Sequence, residues 1–231
     1  MAVGTKISRR SALAGGLAMG GCATLRDRKT SQTVWRFDRT DQIGGRPARL
    51  EGAPSIIEGR RGPALLFDGT DDAMFLSEHP LAGAAAFTME AIFRPDGGAH
   101  EQRWLHLQEE PPRPGGASGG TRMLFEIRVY GQEWALDTFV KGPGYNQPLL
   151  FPEKRHPLGR WTHVAQTCDG SRYRSYVDGV LQGEAEIAFV AQGAGVASVG
   201  CRLNRVDYFR GAIQEARFTH RALPPEQFTG L

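Results

Sequence analysis

Apolar and polar residues alternate along most of the chain beyond residue 34, as expected for strands that are buried on one side. Residues 87–94 (FTMEAIFR) are apolar at every second position, and residues 123–129 (MLFEIRV) repeat the pattern with Glu126 and Arg128 on the opposite side. A period of two places one side of a strand against a core and the other side outward. The alternation predicts about a dozen short strands and almost no helix.

Turn signals separate these segments and indicate how the strands connect. Asp-Gly pairs supply the positive φ angles that tight hairpins need, and they occur at 68–69, 169–170 and 178–179. A Pro/Gly-rich stretch at 111–120 lies between two strand patterns, so we interpret it as a surface loop rather than a linker. Many short antiparallel strands in one chain predict an all-β fold, a two-sheet antiparallel jelly-roll β-sandwich over residues 34–231.

The N-terminal segment differs from the rest of the chain. Residues 1–21 carry three basic residues, no acidic residue and a weakly apolar Ala/Gly/Leu stretch, which is typical of an export signal peptide. Residues 8–13 (SRRSAL) resemble a twin-arginine signal, and residues 19–22 (MGGC) resemble a bacterial lipoprotein cleavage box. This interpretation predicts that Cys22 is lipidated and that residues 22–33 form a polar tether. A simple signal peptide without lipidation is the alternative.

The predicted processing also changes the charge of the chain. The 231 residues include 28 Lys and Arg and 25 Asp and Glu, for a net charge of +3. Loss of the signal removes three of the 28 cations and no acid, which leaves 25 of each sign. Nucleic-acid binding depends on surplus positive charge, so no nucleic-acid partner is expected. We expect a lipoprotein held at a membrane only by its N-terminal anchor, in the bacterial periplasm or at the cell surface.

The two remaining cysteines are Cys168 and Cys201. An oxidising compartment permits a disulfide between them, which makes the pair a candidate bridge. Its formation depends on the distance between the two Cα atoms, which the sequence does not give. A twin-arginine substrate folds before export, in the reducing cytoplasm, so the fold is not expected to require the bond.

Four segments carry motifs beyond simple alternation: ALLFDGTDD at 64–72, FTMEAIFRP at 87–95, GRWTHVA at 159–165 and FRGAIQEARF at 209–218. Together and in this order they resemble the laminin G-like domain of the concanavalin A-like lectin/glucanase superfamily. The resemblance covers about residues 34–228 and implies a curved jelly roll. Such domains are commonly carbohydrate- or protein-binding modules, often with one structural calcium ion. We interpret motif residues such as His163 and Asp178 as structural.

The candidate metal ligands are Asp71 and Asp72, which lie in a turn beside Gly69. Calcium requires hard oxygen ligands, and carboxylates in a flexible turn supply them. The alternative is that both carboxylates are simply solvated turn residues. One structural Ca²⁺ is the only cofactor that we expect.

Catalytic patterns of related folds are incomplete in this sequence. Glucanases of this superfamily use Glu-x-Asp-x-x-Glu on one strand, and the nearest match, Glu184-Ala185-Glu186, has Phe189 at the next required position. Residues 139–147 (FVKGPGYNQ) resemble a strand of jelly-roll alginate lyases, but the accompanying motifs match only in part. We therefore assign no catalytic residue.

The leading hypothesis is a non-catalytic binding or adhesion module for glycans or cell-envelope partners. Sugar recognition needs aromatic faces and polar groups at a shallow site built from loops. The candidate ligand-binding residues are Tyr145, Asn146, Gln147, Asn204, Arg205 and Tyr208. A glycoside hydrolase or polysaccharide lyase on the same jelly roll is the alternative, and an envelope lipoprotein with a protein partner is a third hypothesis.

Overall fold

The computed structural model describes residues 1–4, 32–111 and 120–229. Their regular structure is almost entirely β. The strands in chain order are β1 (Gln32–Arg36), β2 (Gln42–Ile43), β3 (Arg46–Pro47), β4 (Arg49–Glu51), β5 (Ser55–Gly59), β6 (Gly62–Asp68), β7 (Ala73–Leu76), β8 (Phe87–Pro95), β9 (Glu101–Glu109), β10 (Arg122–Tyr130), β11 (Glu133–Gly142), β12 (Tyr145–Leu150), β13 (His156–Pro157), β14 (Thr162–Cys168), β15 (Arg172–Val177), β16 (Val180–Glu186), β17 (Gly195–Val199) and β18 (Arg210–Thr219). One short 3₁₀ helix follows at Pro225–Gln227.

Two eight-stranded antiparallel sheets form the fold, which confirms the predicted jelly-roll β-sandwich. The first sheet has the order β16-β15-β14-β8-β18-β6-β5, with β1 also paired to β18. The second has the order β12-β11-β10-β9-β17-β7-β4, with β13 also paired to β11. The short strands β2 and β3 pair separately. Within the described ranges, no helix is long and apolar enough to cross a membrane.

Stacked aromatic rings join the two sheets across the core. The ring of Phe93, on β8 of the first sheet, stacks on Trp104 of the second sheet with centroids 4.6 Å apart and planes 12° from parallel. The Trp104 ring also stacks on Phe125, on β10, at 5.0 Å. All three side chains are fully buried. Large aromatic side chains dominate core energetics, so this stack fixes the second sheet against the first.

Strand β10 shows how the predicted alternation is realised. Its core-facing residues Met123, Phe125 and Ile127 are fully buried. The residues between them point away from the first sheet, as the period of two requires. Glu126 and Leu124 are nevertheless only 5% and 1% exposed, so the outer side of the second sheet is covered as well.

The motif residues that we interpreted as structural do have structural contacts. His163 is buried on β14, where its Nε2 lies 3.1 Å from Oε1 of Glu90. Asp178 has a φ of 45° in the turn between β15 and β16. Its carboxylate accepts a hydrogen bond from the His163 backbone N–H at 2.9 Å. The Asp-Gly turn therefore caps a neighbouring strand as well as reversing the chain.

The candidate disulfide is not formed. Cys168 ends β14 in the first sheet, whereas Cys201 follows β17 of the second sheet, and both are buried free thiols. Burial raises the pKa of Cys168 to about 11 and that of Cys201 to about 12. The pairing hypothesis failed because the sequence does not show which sheet each cysteine joins. The third cysteine, Cys22, lies outside the described residues, as do residues 5–31 of the predicted signal and tether.

Candidate functional site on the second sheet

A row of side chains crosses the outer face of the second sheet from one edge strand to the other. Directly opposed residues on antiparallel strands share a face. From β4 to β12 the opposed residues are Arg49, Phe75, Ser198, His106, Leu124, Phe139 and Pro148. Neighbours such as Met74 and Phe125 belong to the core, so the row faces away from it. We call this surface the outer face.

The loop at 200–209, between β17 and β18, packs on the middle of the outer face. The backbone N–H of Leu203 donates a hydrogen bond to Nδ1 of His106 at 3.2 Å. The backbone N–H of Arg103 donates to the carbonyl oxygen of Asp207 at 2.9 Å, and the side chains of these two residues form an ion pair. The loop therefore divides the outer face into two grooves, because Arg202 lines one side of it and Leu203 lines the other.

The larger groove, of about 590 Å³, contains Phe75, and we call it the Phe75 groove. The guanidinium carbons of Arg49 and Arg205 lie 4.5 and 4.8 Å from the centre of the Phe75 ring. Arg205 also donates two 2.8 Å hydrogen bonds to the carboxylate of Glu51. Arg205, followed by Arg49, lowers the pKa of Glu51 to about 2. The ring and the carboxylate together hold two arginines with their N–H donors in the groove.

The smaller groove, of about 220 Å³, is lined mainly by charged residues, and we call it the charged groove. The side chains that define it are Arg103, Arg122, Glu126, Arg128, Asp137 and Arg202, with Leu124, Phe139 and Pro148 as apolar lining. Arg103 lies 3.1 Å from Glu126, and Arg128 lies 2.7 Å from Asp137. Arg128 also contacts Glu126, at 3.4 Å. The ion pairs therefore form a continuous network.

Two carboxyl groups are paired within the charged groove. Glu126 on β10 and Asp137 on β11 are directly opposed, and both are at most 5% exposed. Burial and the Glu126 charge raise the pKa of Asp137 to about 7, despite the ion pair with Arg128. One oxygen of Asp137, Oδ1, is buried without a hydrogen-bond partner among the described residues. A carboxyl group that titrates near neutral pH is therefore present in the groove.

The predicted residues 145–147 do not reach either groove. Tyr145 is half-buried, with its ring 6.1 Å from that of Phe189, and packs against the core cluster. Gln147 is opposed to the core residue Val140 and so shares its side of the sheet. Asn146 alone is on the outer face, where it is exposed at the edge strand. This placement also separates the Tyr145 side chain from Glu126, contrary to the arrangement that a lyase-like site would need.

The predicted residues 204, 205 and 208 all lie in the loop that divides the outer face. Arg205 lines the Phe75 groove. Asn204 is exposed and Tyr208 is half-buried, and neither lines one of the two grooves. Sequence reasoning missed Phe75, and no local signal distinguishes it from a core residue of β7.

The predicted calcium ligands belong to a hydrogen-bonded turn. One carboxylate oxygen from each of Asp68, Asp71 and Asp72 lies within 4.8 Å of the others. Asp72 accepts backbone N–H groups at both oxygens, from Ala53 at 2.6 Å and Asp68 at 2.9 Å. Oδ1 of Asp68 accepts the N–H of Thr70 at 2.7 Å. These backbone hydrogen bonds account for the positions of the Asp68 and Asp72 carboxylates without a metal ion. Calcium binding stays a prediction.

The raised pKa of Asp137 makes stability depend on pH. An ordinary aspartate loses its proton near 3.8, whereas Asp137 keeps it to about 7 in the folded state. Between these values the folded chain binds more protons than the unfolded chain, so the free energy of unfolding decreases as pH rises from about 4 to about 7. This decrease should be steeper than in Asp137→Asn by up to about 1.4 kcal/mol per pH unit. Urea unfolding at several pH values measures it.

The exposed Asp38 provides the matched control for this measurement. Asp38→Asn should keep the pH slope of the unsubstituted chain. Equal slopes for the unsubstituted chain and Asp137→Asn would contradict the assignment of the raised pKa to Asp137.

Solved structures with similar folds include domain 4 of AbnA, a GH43 extracellular arabinanase from Geobacillus stearothermophilus, in complex with arabinotriose. It is 18% identical, with a TM-score of 0.63 over 86% of this chain and 96% of that one. The receptor binding domain of botulinum neurotoxin C/D mosaic serotype is 11% identical, with a TM-score of 0.59 over 85% of this chain and 49% of that one. The binding domain of botulinum neurotoxin DC in complex with SialylT is 10% identical, with a TM-score of 0.55 over 85% of this chain and 49% of that one. The chain spans about half the length of these toxin domains. At such identities the likeness shows the fold alone.

Sequence comparison gives the family. No curated protein sequence matches the chain. The Laminin_G_3 family model, described as concanavalin A-like lectin/glucanases superfamily, matches residues 68–228, which is more than half of the chain. The chain therefore belongs to this laminin G-like family of the concanavalin A-like lectin/glucanases superfamily.

Proposed function

We propose that this domain is a glycan-binding module and that the saccharide lies along the outer face of the second sheet. The observation that carries the proposal is the Phe75 groove, where Arg49 and Arg205 are held in position by one ring and by Glu51. Saccharide hydroxyls accept hydrogen bonds from such donors, and donors that are already ordered lose little entropy on binding. Most of the ligand-binding residues predicted from the sequence therefore lie outside the proposed site, which is built mainly from residues of the sheet.

Two similar folds support this proposal. Domain 4 of the arabinanase is solved with arabinotriose, and the neurotoxin DC binding domain is solved with SialylT. The loop at 200–209 adds a second argument. Arg205 and Asp207 have φ angles of 60° and 58°, a left-handed conformation that costs energy outside glycine and often marks binding sites.

Removing the Phe75 ring should abolish most of the binding. Phe75→Ala removes the surface on which Arg49 and Arg205 stack, so we expect affinity for the bound saccharide to fall at least about tenfold. A glycan array that includes arabinotriose identifies the saccharide, and calorimetry measures its Kd with and without a calcium chelator. Ile56→Ala is the control, because Ile56 is 51% exposed on the first sheet.

The expected result is weak binding by Phe75→Ala and unchanged binding by Ile56→Ala, with circular dichroism spectra of both variants like that of the unsubstituted chain. Absence of binding to every glycan on the array would contradict the proposed function. A chelator that leaves the Kd and the thermal stability unchanged would contradict the calcium prediction alone.

Glycoside hydrolysis is the second candidate function, and the carboxyl pair of Glu126 and Asp137 favours it. Directly opposed residues have Cβ atoms about 4.5–5.5 Å apart, a separation compatible with the closely spaced carboxyl groups of retaining hydrolases. A raised pKa would suit Asp137 to donating a proton to the leaving-group oxygen. Arg103 and Arg128 both form ion pairs with Glu126, at 3.1 and 3.4 Å.

This second candidate predicts release of reducing sugars from a polysaccharide panel. Both Glu126→Gln and Asp137→Asn should abolish the release, since each removes one member of the pair, while Asp38→Asn should leave it unchanged. A chain that binds saccharides but releases no reducing ends from any of them is a binding module only.

We also propose that the domain is exported and attached to a membrane through Cys22, as the motifs in residues 1–22 indicate. Metabolic labelling with an alkyne fatty acid in a bacterial host should label the chain. Cys22→Ala should lose both the label and the membrane fraction, whereas the neighbouring Thr24→Ala should retain both. An unlabelled chain that is nevertheless exported would indicate a simple signal peptide.

A further inference from the structure

The cations of the charged groove differ in how they are neutralised. Arg103 pairs with Glu126 and Asp207, and Arg128 pairs with Asp137. The guanidinium of Arg202 makes no hydrogen bond or ion pair with the described residues, although it lines the same groove. One end of the groove therefore carries positive charge that the ion-pair network does not offset.

Arg122 lies at this same end. Its guanidinium carbon is 5.1 Å from the centre of the Phe139 ring, which holds the side chain along the outer face. Burial, followed by the charge of Arg202, lowers the pKa of Arg122; the charge of Glu126 raises it, and that of Arg103 lowers it. Three guanidinium groups are thus close enough to repel one another. Such repulsion is relieved when an anion lies between them.

His106 adds a buried donor beside these arginines. It is 1% exposed, and its Nδ1 accepts the backbone N–H of Leu203. Burial, followed by the charges of Arg122 and Arg202, lowers the pKa of His106 to about 3, so the ring is neutral at physiological pH with its proton on Nε2. That Nε2 has no hydrogen-bond partner among the described residues. Arg122 has an acceptor here, the Gly120 carbonyl oxygen at 3.5 Å, whereas the Nε2–H of His106 has none among the described residues.

We propose that the charged groove binds the anionic group of an acidic saccharide between Arg122 and Arg202, an assignment that rests on the proposed glycan-binding function. Guanidinium groups bind carboxylates and sulfates through paired N–H donors. Phe139 and Pro148 supply apolar surface for the sugar ring. A uronic acid carboxylate and a sulfate ester share this chemistry, and the experiment distinguishes them.

The acidic residues determine the position of that group within the groove. Glu126, and Asp137 in its ionised form, would repel an anion placed above them, although Arg103 and Arg128 reduce the repulsion. An anion at the Arg122–Arg202 end avoids them, and hydroxyl groups of the same saccharide can donate to the two carboxyl groups. The groove is thus polarised along its length, which would orient the chain of the ligand.

Calorimetry with three probes of similar length tests the proposal: tri-galacturonate, a sulfated galactotriose and the neutral galactotriose. The unsubstituted chain should bind one acidic probe at least about tenfold more tightly than the neutral one, and added NaCl should weaken only the acidic interaction. Tighter binding of tri-galacturonate identifies a carboxylate, and tighter binding of the sulfated probe identifies a sulfate ester. Arg202→Gln should remove the preference for the acidic probe.

Arg60→Gln is the matched control, because it removes the same charge from an exposed turn of the first sheet; it should keep the preference. Equal affinities for the three probes, or a preference that survives in Arg202→Gln, would overturn the assignment while leaving glycan binding intact. Absence of binding to these probes and to the whole glycan array would instead overturn the proposed function itself.

Discussion

Arg103 connects the parts of the candidate site. Its guanidinium pairs with Glu126 of the neighbouring strand and with Asp207 of the loop, and its backbone N–H donates to the Asp207 carbonyl oxygen. If the loop left the sheet, Arg103 would lose its ion pair with Asp207 and its backbone N–H would lose its hydrogen-bond acceptor. A buried donor without an acceptor costs free energy. These contacts therefore hold the loop on the sheet between the two grooves.

The left-handed conformations in the loop depend on the same contacts. Arg205 and Asp207 both have φ near 60°, where a side chain is disfavoured. The two hydrogen bonds between Arg205 and Glu51, and the ion pair between Asp207 and Arg103, compensate for that cost. Each strained residue is fixed by a charged partner on a different strand. The loop is therefore an ordered ridge, and the two grooves beside it have a defined separation.

The sequence predicted the fold well because alternation and turns are local signals. The period of two in β10 placed Glu126 and Arg128 on the side opposite the core, which is where they lie. It could not predict that both would be largely buried, since they pair with each other and with Arg103 and Asp137 of the neighbouring strands. Nor could it give the register that places Asp137 opposite Glu126, and the raised pKa follows from that register.

The candidate ligand residues show where local signals stop. The segment at 145–147 looked like a polar loop, but it is the start of an edge strand, and register with Val140 turns Gln147 towards the core side. In the sequence Phe75 cannot be distinguished from a core residue. Its place in the candidate site is evident only from the structure, where Arg49 and Arg205 stack on its ring. Those contacts join residues that are far apart in the chain, so no short motif records them.

The net charge of the chain likewise does not predict the charge of the candidate ligand site. Without its predicted signal the chain is neutral, and that balance argued against a polyanionic partner such as nucleic acid. Inside the charged groove the balance is local: ion pairs offset Arg103 and Arg128, whereas Arg202 has no such partner in the described structure. Two cations at one end of a small groove match a single carboxylate or sulfate, not an extended phosphate backbone. Overall neutrality and a preference for one anionic group are therefore compatible, because the first counts charges and the second depends on where the strands place them.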